Sequence, residues 1–131
     1  MKKDIEIPEV EKVYIAAVKE FNKEFGAEEW NAYIINEREE DLETVLIVTR
    51  GFEGEKQTSI MRHRLEKLPP QSFAKIEYLQ DEVLALNNEF WVTFFAGGKM
   101  YEKKFLFRKN TINSNALQEL PVMRKKGVLL K

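Results

Sequence analysis

Cysteine does not occur among the 131 residues. Disulfides, thiolate zinc sites and cysteine nucleophiles are therefore excluded, and the usual stabiliser of small proteins in oxidising compartments is missing. Histidine occurs once, at His63, so no pair of imidazole ligands exists. No metal site and no cofactor are implied. Long apolar runs are absent as well: the longest, "VYIAAV" at positions 13–18, falls far short of the ~20 residues that a membrane-spanning helix needs. The opening "MKKDIEIPEV" has the two lysines of a signal peptide, but Asp4, Glu6, Pro8 and Glu9 stand where its apolar segment would lie. Export by that route is not expected, and the setting read from the sequence is cytoplasmic, with no membrane contact.

Net charge is scarce too, at −1, which argues against the strongly basic footprint common in nucleic-acid-binding domains. The distribution is less even than the sum. Residues 103–131 carry eight Lys or Arg against the single Glu119, a net of +7, while residues 1–102 carry a net of −8. The two regions are suited to pairing with each other. What the sequence does have is 44% apolar, 33% charged and 11% aromatic residues, a composition that builds a core and not a disordered chain. At this length one domain is expected. Its parts are an N-terminal segment at 1–9, a β-rich body at 10–109 and a tail at 110–131.

The clearest local signal is "NNEFWVTFFAGGKMYEKKFLFRKNTIN", residues 87–113. Gly97 and Gly98 suit a two-residue hairpin turn, where glycine accepts the positive φ required. Counting outward from that turn opposes Ala96 to Lys99, Phe94 to Tyr101 and Phe90 to Phe105. Opposed residues share a face, so Phe90, Val92, Phe94, Tyr101, Phe105 and Phe107 form one face, read as core. Trp91, Thr93, Phe95, Met100, Glu102, Lys104, Leu106 and Arg108 form the other, half solvated or covered by a neighbour. That second face partly resembles a base-stacking platform, but alternating aromatics in a hairpin more commonly mark sandwich core with solvated charges.

Period-two alternation also runs through most of the remaining chain. "WNAYIIN" and "LETVLIVTR" read as strands, the latter with Val45 to Val48 buried on both faces. "GFEGEK" reads as a turn punctuated by Gly51 and Gly54, and "QTSIMRHRLEKL" and "SFAKIEYL" as further strands around Pro69 and Pro70. "QDEVLALNN" reads as a loop or one helical turn. The first segment has two readings: a helix opened by Pro8 with a Val10, Tyr14, Ala17, Phe21 and Phe25 stripe, or a doubly buried strand centred on "VYIAAV". The β character of every later element favours the strand. In the tail, Asn115 three residues before Gln118 predicts a short helix closed by Pro121, followed by the basic cluster Arg124, Lys125 and Lys126 and an apolar "VLL" suited to packing on its own domain or a dimer mate. The expected fold is a single-domain antiparallel β-sandwich, immunoglobulin-like, of about seven strands with a short helical and basic tail.

Candidate chemistry is thin. His63, between Met61 and Leu65 on its own face, reads as a hydrogen-bonded core or boundary residue, with a catalytic alternative in which Glu77 or Glu66 supports it as a general base in a cleft. "GFEGEKQTS" lacks the Lys-Ser/Thr step of a phosphate loop. Glu37, Glu39, Glu40, Asp41 and Glu43 read as a solvated turn and not as cation ligands. Arg62 and Arg64 share a face and suit pairing with acidic side chains on adjacent strands, with an anion or a carboxylate-bearing peptide as the alternative. The candidate binding surface is Arg50, Phe52, Arg62, Arg64, Trp91 and Lys104, with Arg124, Lys125 and Lys126 as candidate tail contacts.

With "ALNNEFWVTFFAGGKMYEKKFLFRKNTIN", "GFEGEKQTSIMRHRLEKLPPQSFAKIE" and "KKGVLLK", the chain resembles, over nearly its whole length, a family of small uncharacterised bacterial proteins. Some of its members carry the label phenylalanyl-tRNA synthetase beta subunit. A genuine beta subunit is several times longer and multidomain, and no residues here match its editing or tRNA-binding modules. The resemblance thus implies a bacterial, cytoplasmic setting and no catalytic residues. The expected function is a non-enzymatic module that binds protein or itself, the alternatives being an RNA-associated accessory protein using its basic C-terminal region and a small enzyme with a cleft near His63.

Overall fold

The computed structural model describes residues 8–131; residues 1–7, most of the expected N-terminal segment, lie outside the described residues. Its strands are β1 (Val13–Asn22), β2 (Ala27–Asn36), β3 (Leu42–Glu53), β4 (Lys56–Gln57), β5 (Met61–Leu68), β6 (Ser72–Leu79), β7 (Asn87–Ala96), β8 (Lys99–Phe107), β9 (Gln118–Glu119) and β10 (Lys126–Leu130), with one helical turn, α1 (Asp81–Leu84). They form two antiparallel sheets, one in the order β6-β2-β1-β10-β9 and the other in the order β4-β3-β7-β8, with β5 also on β3. The protein is all-β. Among the described residues ten strands stand where about seven were expected; those outside the expected set are the two-residue β4 and β9, and β10.

The glycine hairpin forms in the register that counting predicts, Ala96 opposite Lys99 through Phe90 opposite Phe105. Gly97 and Gly98 take φ of +56° and +78°, which glycine adopts without steric cost. Phe90, Val92, Phe94, Tyr101, Phe105 and Phe107 are all buried. They meet Val13, Ile15, Ala17, Ala32 and Ile34 from the opposite sheet and Val45 and Ile47 from β3 in one core. Each large ring removed from water there contributes about 1.5–3 kcal/mol relative to leaving it exposed. Phe94 stacks on Tyr101 with ring centroids 5.0 Å apart, and Phe90 meets Phe107 edge-on at 5.9 Å.

The first segment is a strand, and "VYIAAV" is covered on both faces. Val13, Ile15 and Ala17 enter the shared core, whereas Ala16 and Val18 join Ile35, Leu120 and Met123 in a second cluster on the outer side of the same sheet. The tail supplies that cover. Its predicted helix is not formed: residues Ser114–Ala116 make a single 3-10 turn capped by the Asn113 side chain, and the chain continues as β9 and β10. β10 pairs with β1, Ile15 opposite Leu130 and Ala17 opposite Val128, so "VLL" closes on its own domain. The capping signal at Asn115 is local, and the unpaired edge of β1 offers the tail a ladder of hydrogen bonds that a two-turn helix cannot match.

Two further expectations change in β3. Gly51 is not a turn residue but lies inside the strand, where an added Cβ would stand 3.2 Å from Thr58 and 3.3 Å from Asn88. Leu46 is exposed, so the run Val45 to Val48 is buried on one face only. An apolar run hides its own alternation.

Candidate functional site

The two sheets differ in how their outer faces are finished. The tail covers the outer face of the β1 sheet, and Lys125 fastens it by an ion pair from Nζ to Glu20 Oε2 at 3.1 Å. Glu20 Oε1 accepts hydrogen bonds from Asn31 Nδ2 at 2.8 Å and from the Tyr33 hydroxyl at 2.7 Å. Burial alone would push this carboxyl up, but these donors and the Lys125 charge outweigh it and hold Glu20 below its ordinary value. Arg124, Lys125 and Lys126 therefore sit at the turn into β10, with Lys125 committed to an intramolecular bond. Lys109 likewise pairs with Glu53, so the basic C-terminal region and the acidic remainder of the chain do meet.

The outer face of the β3-β7-β8 sheet has no such cover among the described residues. Cross-strand pairing sets its rows. Arg62, Val48, Trp91 and Lys104 form one, and Arg64, Leu46, Thr93 and Glu102 the next. Arg50 faces Glu89, itself opposite Leu106, and Phe95 faces Met100. Because Arg50 and Phe52 follow Val48 at two-residue steps on β3, all six candidate binding residues, Arg50, Phe52, Arg62, Arg64, Trp91 and Lys104, share this one face.

Leu46, Trp91, Phe95, Met100 and Leu106, each 38–47% exposed, occupy it with them. Neighbours in this set are directly opposed or diagonal across adjacent strands, a spacing that long and aromatic side chains span. The strip is continuous. Lys104 Nζ lies 4.5 Å from the Trp91 ring centroid, and the Arg50 guanidinium 4.5 Å from that of Phe52. The Trp91 indole N–H donates to Glu102. Arg50 also donates to Gln57 at 3.1 Å and pairs with Glu89 at 3.4 Å, and Arg64 pairs with Glu66 at 3.1 Å. The cations alternate with acids instead of forming a single-sign field. Side-chain parity in the hairpin already sets Phe95, Met100 and Leu106 on the face of Trp91 and Lys104, although the candidate binding surface does not include them; Leu46 joins them only through the pairing of β3 with β7.

His63 lies elsewhere, on the side of β5 that faces the core, opposite Ile47. Its Nε2 is 2.7 Å from Glu77 Oε1, and the same oxygen accepts a hydrogen bond from the Thr49 hydroxyl at 2.8 Å. A carboxylate partner requires the proton on Nε2. His63 is thus a hydrogen-bonded boundary residue, and its contact is with Glu77, not Glu66. Thr49 is buried and donates to the carboxylate, so these side chains do not adopt the hydroxyl–imidazole–carboxylate order that activates a nucleophile. They join β3, β5 and β6, and so the two sheets.

No family model, no curated protein and no solved structure matches the chain. Among the described residues no helix is long and apolar enough to cross a membrane.

Proposed function

We propose that the protein is a non-enzymatic protein-binding module of the immunoglobulin-like kind, whose uncovered β3-β7-β8 face receives a protein partner, a second copy of the chain included. The observation that carries the reading is the continuous strip of Leu46, Trp91, Phe95, Met100 and Leu106 beside Arg50, Arg62, Arg64 and Lys104. Exposed strips of large apolar residues with a polar surround mark interaction surfaces, and Trp and Arg are the residues most enriched among interface hot spots. The neighbours β1-β2-β6 and β3-β7-β8 correspond to the strand sets A-B-E and C-F-G of the immunoglobulin-like fold, which supports that assignment. Fold alone selects no partner.

The same face argues for protein over nucleic acid. Arg50, Arg62, Arg64 and Lys104 are interleaved with Glu66, Glu89 and Glu102, a near balance that would repel a phosphate backbone about as much as attract it. The test is sedimentation velocity with affinity capture, comparing the wild-type chain with Trp91→Glu. The wild type self-associates or retains a protein partner, and the variant, still folded by circular dichroism, loses it; truncating a central tryptophan commonly costs about 2 kcal/mol or more. A monomer that captures nothing, or capture that Trp91→Glu leaves intact, overturns the reading. Salt-sensitive retention on immobilised tRNA would transfer the face to the RNA alternative.

A further inference from the structure

On the side of the molecule where β5 and β6 form the ends of their sheets, a groove of about 470 Å³ opens between the sheets. That volume lies within the range of small-molecule sites. Its lining comes from β3, the start of β5 and the segment before it, the end of β6, α1 and β7, and includes Met61, Tyr78, Val83 and Phe90 as apolar walls. Glu77 also lines it, and the sequence explains why a carboxylate points inward there. A bulge in the β2–β6 ladder separates the pairs Ala32–Glu77 and Tyr33–Lys75. This sets Glu77 opposite the buried Ala32, on the core-facing side of an edge strand.

The hydrogen bonding of Glu77 is one-sided. Oε1 is held by Thr49 and His63, while Oε2 has no hydrogen-bond partner among the described residues. Inward charges and bulges protect sheet edges from unwanted pairing, and the Oε1 contacts serve that purpose. They leave Oε2 without a protein partner and open to solvent in the groove, free to take a cationic donor. Among the described residues Arg50 is the one cation that lines the groove, and its guanidinium is engaged by Gln57 and Glu89 and stacked on Phe52.

We infer that the groove binds a primary ammonium group on an aliphatic stem, with the ammonium on Glu77 Oε2 and the stem along Met61, Val83 and Phe90. A guanidinium fits less well, since its fork seeks two carboxylate oxygens and Oε1 is already doubly engaged. An ammonium is a compact point charge whose remaining protons can go to the side chains of Ser59 and Gln80, both in the lining. Two sources offer this chemistry, a free alkylamine and a lysine side chain of another protein. The inference does not rest on the exposed β3-β7-β8 face.

The test is an amide-resolved NMR titration of the full chain with n-butylamine, with n-butanol as the uncharged control. Butylamine is expected to shift the Met61, Glu77 and Val83 amides saturably, with a dissociation constant on the order of millimolar, as befits so few heavy atoms, and butanol to bind at least about tenfold more weakly. Glu77→Gln should abolish the difference between them. Because that variant also disturbs the contacts with Thr49 and His63, Ser59→Trp provides a second one that obstructs the groove and leaves the carboxylate in place; it should lose butylamine binding with its melting temperature little changed. Equal responses to amine and alcohol, no saturable response to amine, or binding that survives both substitutions each overturns the inference. A lysine-containing peptide that binds more tightly than butylamine identifies a protein as the source, and equal affinities identify the free amine.

Discussion

Glu20 and Tyr14 make the clearest demands on pH at the level of single residues. Glu20 titrates below its ordinary value in the folded chain, so its stabilisation is complete above the usual carboxylate range and is lost as pH falls through the depressed folded value. Tyr14 behaves in the opposite sense. Burial, and then its 2.7 Å hydrogen bond to Glu37, push the phenol up to about 12. The unfolded phenol ionises near 10.0 while the folded one remains neutral, so its contribution is full below that pH and disappears as pH rises to about 12. Urea unfolding from acid to alkali is expected to show both limbs. Glu20→Gln should approach wild-type stability only at the acid end, and Tyr14→Phe should shallow the alkaline fall; parallel profiles would show that these contacts do not report on folding. Of such partnerships the sequence reveals only part. His63 reads as hydrogen-bonded from Met61 and Leu65 beside it, but Thr49 could not be named as a sharer of Glu77, because it arrives from another strand of the neighbouring sheet.

Among the elements, the seam between β1 and β10 is the most exacting. An added Cβ at Gly127 would stand 2.7 Å from the Ala17 carbonyl oxygen and 2.9 Å from Leu120. The backbone of β1 cannot yield as a flexible side chain would. Gly127→Ala is therefore expected to destabilise by about 1–3 kcal/mol, measured as a lowered midpoint in thermal or urea unfolding; an unchanged midpoint would mean that β10 is not seated as described. Elements built on near neighbours were legible. The β7–β8 register follows from two glycines and a count, whereas the apolar run of β1 suits helix or strand alike and is decided by the β character of the elements after it. Elements made by distant pairing were not: the tail reads as a helix until the free edge of β1 is known, and Gly51 reads as a turn until Thr58 and Asn88 close around it. Leu46 reads as covered for a related reason, since hydrophobicity records a preference for cover and not whether cover is present.

At the scale of the whole molecule, the tail finishes one outer face, and among the described residues nothing covers the other. Removing residues 118–131 is expected to uncover Ala16, Val18 and Ile35 and to give a chain that aggregates or binds hydrophobic dye strongly, whereas Trp91→Glu should improve solubility. A truncated chain as soluble and cooperative as the full one would count against the tail as part of the core. The asymmetry also explains how far the binding surface could be read in advance. Side-chain parity places Trp91 with Lys104 and Arg62 with Arg64, but only strand pairing brings the two pairs onto one face, and only the three-dimensional path of the tail shows which face it does not reach. That path also has a consequence for biosynthesis. The Lys125–Glu20 bond spans 105 residues, and at roughly 5–20 residues per second of translation the early strand waits on the order of 5–20 s for its partner. Throughout that interval a nascent chain presents an unpaired β edge, open to pairing with a neighbouring chain until β10 has been made.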